Sequence, residues 1–294
     1  MARIVYVNGS YRTYGDAMIH AEDRGFLFGD AVYEVCPVIG GRIIDEAAHL
    51  DRLDRSMREL AMQPPMPRSS LSQVLRETVR RNRIVEGWLY LQVSRGVAPR
   101  DFLFPSARTD RTVVCFARTQ PLAKGDAQAA KGIAVITTPD IRWDRVDIKS
   151  VQLLAPAMAK EKARAVGAKE AWMVDRDGHI TEGASSNAWI LTKAGEVITR
   201  PVDPGGVLRG VTRTVLLDFI ARKRLKSSER AFTVAEALDA REAFLTSATT
   251  FVMPVVTIDG NAIGSGSPGP LSMQLRGLVL AAAIAQAQEH KLAV

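Results

Sequence analysis

Apolar runs typical of strands alternate along this chain with segments in which apolar residues recur at helical spacing. Near the start, Ile4–Val7 has the pattern of a strand, and Asn8-Gly9 is the dipeptide of a tight hairpin turn. Further on, the apolar residues of 50–60 return every three or four positions, which places them on one face of a helix. This mixture predicts an α/β fold of the α+β type.

The predicted elements fall into two halves of the 294 residues, more than one typical domain needs. Residues 121–130 are mostly small or polar and include glycine, and we interpret them as an interdomain linker. We therefore expect a small N-terminal α/β domain over residues 1–120. A larger, strand-rich C-terminal domain is expected over residues 131–294.

Strands and helices can be placed from the same patterns. The predicted strands are Ile4–Val7, Val32–Ile39, Trp88–Ser94, Thr112–Ala117, Ile133–Thr137, Ala171–Val174, Ala188–Leu191, Ala243–Thr246 and Val255–Ile258. The predicted helices cover residues 50–60, a segment to Val79 capped by Ser69-Ser70, Leu153–Ala159, a segment from Thr212, and Leu271–His290.

Composition narrows the class of protein. With 47% apolar and 24% charged residues the chain is ordinary for a globular protein. No apolar stretch is long enough to span a bilayer, and the first residues lack the order of a secretory signal. Cys36 and Cys115 lie in apolar runs, which indicates reduced core thiols. The four histidines, His20, His49, His179 and His290, have no metal-ligand spacing. We expect a cytoplasmic protein without a metal site.

The net charge of +7 raises the alternative of a nucleic-acid-binding protein. The arginines are spread along the whole chain, and no basic run interleaves with aromatic residues. The densest cluster, Arg80–Arg83, stands at a predicted helix end, where positive charge is favourable against the helix dipole. A basic interior that receives phosphate and carboxylate groups would add to the excess. We therefore expect small-molecule partners and no nucleic acid.

Two residues suit chemistry on a bound aldehyde. Lys149 stands just ahead of a small-residue apolar segment, and Glu182 comes at the start of a glycine- and serine-rich turn. A lysine amine can hold an aldehyde as a Schiff base, and a carboxylate opposite a pyridine nitrogen keeps that nitrogen protonated. The pair is what pyridoxal phosphate requires. Taken singly, each has an ordinary explanation, since most lysines are solvated surface charges.

Three further features suit a phosphate. Gly210 comes immediately before a predicted helix with Thr212 in its first turn, and a helix start of this kind can bind an anion. The segment 246–250 is a hydroxyl-rich turn after a strand. Arg52, on a predicted helix, could donate to a phosphate or make a surface ion pair. Each signal is weak alone.

Together these residues belong to a series of motifs that resembles the fold type IV pyridoxal phosphate aminotransferases over nearly the whole chain. The motifs, in the family order, are Asp23-Arg24-Gly25-Phe26-Leu27-Phe28-Gly29-Asp30, Val32-Tyr33-Glu34-Val35, His49-Leu50-Asp51-Arg52, Arg95-Gly96, Asp147-Ile148-Lys149, Thr181-Glu182-Gly183 with Ser186-Asn187, Gly210-Val211-Thr212-Arg213, and Thr246-Ser247. Among the subfamilies the D-amino acid transaminases are the most similar.

The resemblance assigns roles to these residues. Lys149 would bind the cofactor and move the α-proton, and Glu182 would hold the protonated ring nitrogen. The remaining residues that it assigns to the cofactor are Arg52, Val211, Thr212, Ala248 and Thr249 at the phosphate, and Ser186 and Asn187 near the ring. It implies a two-stroke transamination between an amino donor and a 2-keto acid, in a homodimer.

The substrate site departs from the subfamily at Phe102 and at Pro37, which stands where the D-specific enzymes carry a basic residue. The resemblance implies that Tyr33, Val35, Arg100 and Phe102 line this site. Tyr33 and Arg100 match the residues that trap the substrate carboxylate, but Phe102 stands where these enzymes carry a histidine. This removes one hydrogen-bond donor and leaves room for activity on (R)-primary amines.

Other functions remain open at this point. The same fold supports (R)-selective amine transaminases, branched-chain L-amino acid aminotransferases and aminodeoxychorismate lyases, and fold alone does not separate them. Outside enzymology, the alternative is a basic anion-binding protein that keeps the fold without the chemistry. Lys149, Glu182 and Arg52 together argue against that alternative.

Overall fold

The computed structural model describes residues 3–202 and 206–289, which form two compact units. The first unit contains the chain up to Pro121, the short segment Ile148–Gln152, and the end of the last helix from Ala283. The second contains Leu122–Asp147 and Leu153–Ala282. The segment that carries Lys149 therefore packs with the N-terminal unit although it follows the first part of the second unit in sequence.

An antiparallel sheet forms the frame of the first unit. Its strands, in sheet order, are β2 (Ser10–Thr13), β1 (Ile4–Val7), β6 (Thr112–Thr119), β5 (Gly87–Ser94), β3 (Ala31–Ile39) and β4 (Arg42–Ile43). Asn8 and Gly9 both have positive φ, 43° and 89°, as the predicted two-residue hairpin turn requires. A 3₁₀ turn, Tyr14–Asp16, follows β2.

Three helices accompany this sheet: α1 (Arg24–Phe28), α2 (Glu46–Glu59) and α3 (Arg68–Arg81). The periodic apolar side chains of α2 and α3, among them Leu53 and Leu75, are fully buried in one core with strand residues such as Leu91. The predicted capping role of Ser69-Ser70 was wrong. Helix α3 begins at Arg68 after Pro67, so both serines lie inside its first turn, where Pro67 sets an extended entry.

The segment 148–152 is bound to the edge of β3. Val32 and Ser150 form an antiparallel bridge, and Tyr33 N donates to the Lys149 carbonyl at 3.0 Å. Val151 N donates to Ala31 O at 3.0 Å, and Ile148 is buried in the core of the first unit. Main-chain bonds on both sides of Lys149 thus fix its backbone.

A mixed sheet forms the frame of the second unit. Its strands, in sheet order, are β12 (Ser227–Glu229), β11 (Val197–Thr199), β10 (Asn187–Leu191), β13 (Glu242–Ser247), β14 (Phe251–Ile258), β7 (Ile133–Pro139), β8 (Glu170–Val174) and β9 (Ile180–Gly183), with β15 (Asn261–Ala262) paired to β14. The pairs β14–β7, β7–β8 and β11–β12 are parallel, and the others are antiparallel.

The helices of this unit are α4 (Leu122–Ala129), α5 (Leu154–Ala165), α6 (Val211–Arg222), α7 (Val234–Leu238) and α8 (Pro270–Glu289). The large side chains Trp172, Phe232 and Trp189 are fully buried. Among the helices that the structure describes, none is long and apolar enough to cross a membrane. The family's two-domain α+β architecture, predicted from the sequence, agrees with this pairing of an antiparallel and a mixed sheet.

Some elements differ from the sequence expectations. The stretch 121–130, interpreted as a linker, contains α4, whose last residue, Ala129, is fully buried. Thr181 and Glu182 lie within β9, and the turn comes after them at Ala184-Ser185. Strand β14 begins at Phe251, four residues before the predicted start. The expected end of the last helix at His290 lies outside the described residues.

Candidate active site

Lys149 presents its amine to the face of an aromatic ring. Its Nζ lies 4.2 Å from the centroid of the Tyr33 ring. Its main-chain N donates to the buried Ser56 Oγ on α2 at 3.2 Å, in addition to the bonds to β3. Because the backbone is fixed, the reach of the amine depends on the side-chain torsions alone.

Tyr33 is itself held by a stack of rings. Its centroid lies 5.6 Å from that of Tyr90, and Tyr90 lies 5.0 Å from Phe116, each pair with planes 27° apart. Tyr90 donates its hydroxyl proton to Gln92 at 2.8 Å. Burial, with the neighbouring Tyr33, raises the pKa of Tyr90, so this hydroxyl stays protonated. The stack fixes the orientation of the ring that faces Lys149.

Beside Tyr33 on β3, Glu34 binds two side chains of α2. Arg52 donates Nε to Oε1 at 2.8 Å and Nη2 to Oε2 at 2.6 Å, in the fork geometry of an arginine–carboxylate pair. His49 Nδ1 lies 2.7 Å from Oε2. Arg52, expected at the cofactor phosphate, is thus paired with Glu34 in this structure, and its phosphate role stays a prediction.

The charges of this cluster follow from burial and pairing. Burial alone would raise the pKa of Glu34, but the charge and hydrogen bonds of Arg52, with the hydrogen bond of His49, lower it to about 2. Burial lowers the pKa of His49 in spite of Glu34. His49 is therefore neutral at pH 7 and donates its Nδ1 proton to the ionised Glu34.

Arg100 and Phe102 lie on an exposed loop of the first unit. Phe102 meets Phe28 edge to face with ring centroids 5.8 Å apart. The cation–π contacts of Arg100 are with Phe28 and Phe102, at 5.5 Å and 5.7 Å. These contacts do not bring Arg100 to Tyr33, so the expected joint carboxylate site remains a prediction.

In the second unit, the buried Glu182 carboxylate is surrounded by donors. Arg142 Nη1 binds Oε1 at 2.5 Å, and Asn187 Nδ2 binds Oε2 at 2.9 Å. The main-chain N of Leu208 donates to both oxygens at 3.2 Å and 3.3 Å. These donors fix the position of the carboxylate beside the Arg142 guanidinium.

Arg142 is in turn held by Asp140. Two nitrogens of its guanidinium donate to the two Asp140 oxygens at 2.9 Å and 2.7 Å, and Thr181 Oγ1 donates to Oδ2 at 2.8 Å. Burial acts to raise the pKa of Asp140, but the hydrogen bonds and charge of Arg142 outweigh it and lower that pKa. Sequence reasoning missed Arg142, because an isolated arginine in a loop carries no periodic or motif signal.

Asn187 gathers the remaining predicted residues of this unit. It pairs with Thr246 across β10 and β13, and its Nδ2 also donates to Leu208 O at 2.9 Å. Its Oδ1 lies so close to Gly210 that a Cβ there would come within 2.1 Å. The start of α6 and the turn after β13 therefore both adjoin Asn187.

Both of those segments suit an anion. Helix α6 begins after Gly210 without a side-chain cap, so the N–H groups of Val211 and Thr212 have no partner within the helix. The turn that contains Ala248 and Thr249 is closed by Ser247 Oγ, which lies 2.7 Å from Thr250 Oγ1.

Ser186 has a different neighbour from the one that the resemblance suggests. Ser185 and Ser186 donate their hydroxyl protons to the buried Glu170 at 2.8 Å and 3.1 Å. Lys160 Nζ lies 3.2 Å from the other oxygen of Glu170. Ser186 therefore fixes the turn ahead of Asn187, and its contact with the cofactor ring remains a prediction.

These groups fit a cofactor with an aldehyde, a basic ring nitrogen and a phosphate. Lys149 makes no ion pair with a described residue, Glu182 is a buried carboxylate, and the start of α6 offers main-chain donors. Across residues 3–202 and 206–289, no three or more His, Cys, Asp or Glu side chains group as a metal site would require.

Comparison with known proteins agrees with the fold and the motifs. Residues 31–258 match the amino-transferase class IV family. A D-alanine aminotransferase of Bacillus licheniformis is 39% identical over 272 residues, 92% of this chain and 94% of that protein. The branched-chain amino acid aminotransferase of Escherichia coli superposes with a TM-score of 0.87 at 20% identity, covering 97% of this chain and 96% of that chain. A hypothetical aminotransferase of Mycobacterium tuberculosis in a PLP-bound form gives 0.82 at 25% identity, covering 96% and 99%.

Proposed function

Because this chain belongs to the class IV aminotransferases, which are pyridoxal phosphate enzymes, we propose that it moves the amino group of a D-amino acid to a 2-keto acid. The observation that carries the proposal is its similarity over nearly its whole length to a D-alanine aminotransferase. The similarity to branched-chain enzymes is limited to the fold, because that sequence identity is low.

The chain supplies groups for each part of the cofactor. Lys149 binds the aldehyde carbon, and Glu182 accepts a hydrogen bond from the protonated ring nitrogen. Val211, Thr212 and the turn at Ala248-Thr249 bind the phosphate, together with Arg52. When bound, pyridoxal phosphate supplies an electron-withdrawing ring that makes the α-proton of an amino acid acidic.

Lys149 then acts as the acid and base. After the amino substrate had displaced it, its free amine would take up the α-proton and return it one carbon away. Hydrolysis by one water would then release the keto acid and leave the amino group on the enzyme, and a second keto acid would reverse these steps. The fixed backbone of Lys149 suits this role, because only its side chain has to move.

The donor is proposed from the substrate residues. Tyr33 and Arg100 bind the carboxylate, and Val35 and Phe102 contact the rest of the substrate. Phe102 is 80% exposed and apolar, which favours a second activity on (R)-primary amines, whose aryl or alkyl group takes the place of a carboxylate.

Initial rates with D-alanine, L-leucine and (R)-phenylethylamine, each with the same keto acid, test the donor. The proposal expects D-alanine to be used fastest and the amine more slowly. Faster reaction with L-leucine would contradict the proposal and favour a branched-chain L-amino acid aminotransferase. A Lys149→Ala variant, expected to be inactive on all three, controls for background reaction.

The assembly and location are part of the proposal. The first unit exposes other large apolar side chains, among them Met18, Leu103 and Phe104, which support burial in a homodimer. The two described cysteines are buried thiols, as in a reducing compartment, and this supports a cytoplasmic enzyme. Light scattering of the purified protein at micromolar concentration should give twice the chain mass.

A further inference from the structure

A cluster of aromatic and basic side chains surrounds the Arg100–Phe102 segment. The Arg100 guanidinium carbon lies 5.5 Å from the centroid of the Phe28 ring and 5.7 Å from that of Phe102. The two rings meet at 65° with centroids 5.8 Å apart. Both distances from the guanidinium lie within the range over which a ring face attracts a cation.

The main chain on both sides of Phe102 is held by Arg24, which is 2% exposed. Its Nη1 donates to the carbonyls of Asp101 at 2.7 Å and Leu103 at 3.3 Å, and its Nε pairs with Asp30 at 2.8 Å. The segment is therefore fixed at the two residues that flank Phe102, although Phe102 itself is exposed.

The same framework holds Phe28. The Arg24 guanidinium carbon lies 4.5 Å from the Phe28 ring centroid, and both residues belong to α1. A second buried arginine, Arg95, binds Asp30 at 2.7 Å and lies 3.7 Å from the ring of Phe104. The Phe28 ring therefore lies against the ion-paired Arg24, and the main chain around Phe102 is held by the same arginine, while Arg100 is exposed.

We propose that Phe28 and Phe102 form a two-ring platform that positions the Arg100 guanidinium for the substrate carboxylate. This inference rests on the proposed function, because it assigns the platform to the substrate of that reaction. Phe102 offers no hydrogen bond to a carboxylate, but its ring restricts an otherwise mobile arginine and leaves the guanidinium N–H groups to donate. Less side-chain entropy is then lost when the carboxylate binds.

Phe28 is in this account a positioning residue that acts through Arg100. The platform also separates two explanations of Phe102. If Phe102 is only an apolar wall of the substrate site, a leucine of similar bulk should replace it. If it is a platform for Arg100, an aromatic ring is required at this position. Phe28 distinguishes them further, because it contributes to carboxylate binding only in the second explanation.

Half-reaction rates of the holoenzyme test the platform. Phe28→Leu and Phe102→Leu should each raise the D-alanine concentration for half-maximal rate roughly two- to fivefold, without lowering the limiting rate. For Phe28→Leu the same value with (R)-phenylethylamine should not change, because this substrate has no carboxylate and Phe28 acts only through Arg100. Phe102→Tyr keeps the ring and should behave as the wild type. Phe26→Leu changes an exposed ring of the same helix outside the cluster and serves as the matched control.

The platform requires Arg100, so the leucine substitutions should have no further effect on D-alanine in an Arg100→Ala background. Effects of the same size without Arg100, or equal effects of Phe28→Leu on D-alanine and the amine, would overturn it. If the wild type reacts with L-leucine and not with D-alanine, the proposed function fails, and the same variants are measured with L-leucine, which also carries a carboxylate. If the wild type reacts with the amine alone, both the proposed function and the platform are overturned.

Discussion

At the scale of single residues, the Glu34 carboxylate connects β3 with α2, and we expect this contact to stabilise the fold. Glu34→Gln should lower the free energy of unfolding at pH 7 by about 3–5 kcal/mol, because it removes the negative charge to which two nitrogens of the Arg52 guanidinium donate. Urea unfolding of both proteins, followed by tryptophan fluorescence, measures the difference.

The pH dependence of this contribution has a definite sign. The pKa of Glu34 is lowered from 4.5 to about 2. The contribution of its carboxylate to the free energy of unfolding is therefore present above pH 4.5 and is lost as the pH falls towards 2. The wild type should lose more stability than Glu34→Gln over that window. Glu77 has a similarly low pKa from Arg80 and Arg81, but it is only half-buried on a helix surface and both arginines are exposed to solvent, so Glu77→Gln should leave the unfolding midpoint unchanged. Equal effects of the two substitutions would contradict the role given to burial.

For Glu182 we predict an effect on the rate of the half-reaction. Glu182→Gln keeps an oxygen for the Asn187 amide and the Leu208 N–H but removes the negative charge beside the ring nitrogen. We expect the half-reaction to slow by about 10²-fold, the order of effect of one electrostatic group at a reacting centre. The dissociation constant of pyridoxal phosphate, from fluorescence titration of the apoenzyme, should change much less. A larger loss of binding than of rate would assign Glu182 to cofactor retention.

At the scale of elements, the start of α6 depends on the absence of a side chain at Gly210. Its φ of −63° is open to any residue, so the requirement is one of space. In Gly210→Ala the new methyl would meet Asn187 Oδ1 at 2.1 Å, and either Asn187 or the helix start must move. We expect weaker pyridoxal phosphate binding, measured by the same titration.

Gly277 offers a matched control on another helix. It lies inside α8, and a Cβ there would meet nothing within 4 Å. Gly277→Ala should leave cofactor binding unchanged and raise stability by about 0.5–1 kcal/mol, because alanine favours a helix. Unchanged cofactor affinity in Gly210→Ala would contradict the placement of the phosphate at α6.

Periodicity predicted most of the strands and long helices, since apolar residues such as Leu53 and Leu75 face one core. Periodicity did not predict the first residue of an element where tertiary contacts determine that residue. Helix α4 is short and polar, and burial of Ala129 helps to hold it. Thr181 and Glu182 lie within β9 because the residues on either side of them, Ile180 and Gly183, pair with β8, against the turn that the local sequence favours.

At the scale of the whole molecule, many buried arginines are balanced by the protein itself. Arg52 pairs with Glu34, Arg142 with Asp140 and Glu182, and Arg276 with Asp126. The charge of +7 suggested that a basic interior receiving phosphate and carboxylate groups adds to the excess, and in this structure these three arginines contact carboxylates of the protein. Arg24 and Arg95 share the single carboxylate of Asp30.

The family predicted from the order of motifs is confirmed by the class IV match. The motifs located Lys149 and Glu182, but the side chains that fix them were less visible. Ser56 lies 93 positions before Lys149, and Arg142 lies 40 before Glu182, so no local pattern connects the partners. The ring platform at Arg100 joins α1 to a distant loop, and only three-dimensional packing brings it together.

The half-reaction spectrum of the holoenzyme tests the central claim most directly. D-alanine is added without a keto acid, with L-alanine and L-leucine in parallel samples, and the visible absorbance of the bound cofactor is followed. The account predicts that D-alanine removes this absorbance with one pyruvate formed per active site, and that added pyruvate restores it, while the L-amino acids have little effect. Loss of the absorbance with L-leucine and none with D-alanine would contradict it.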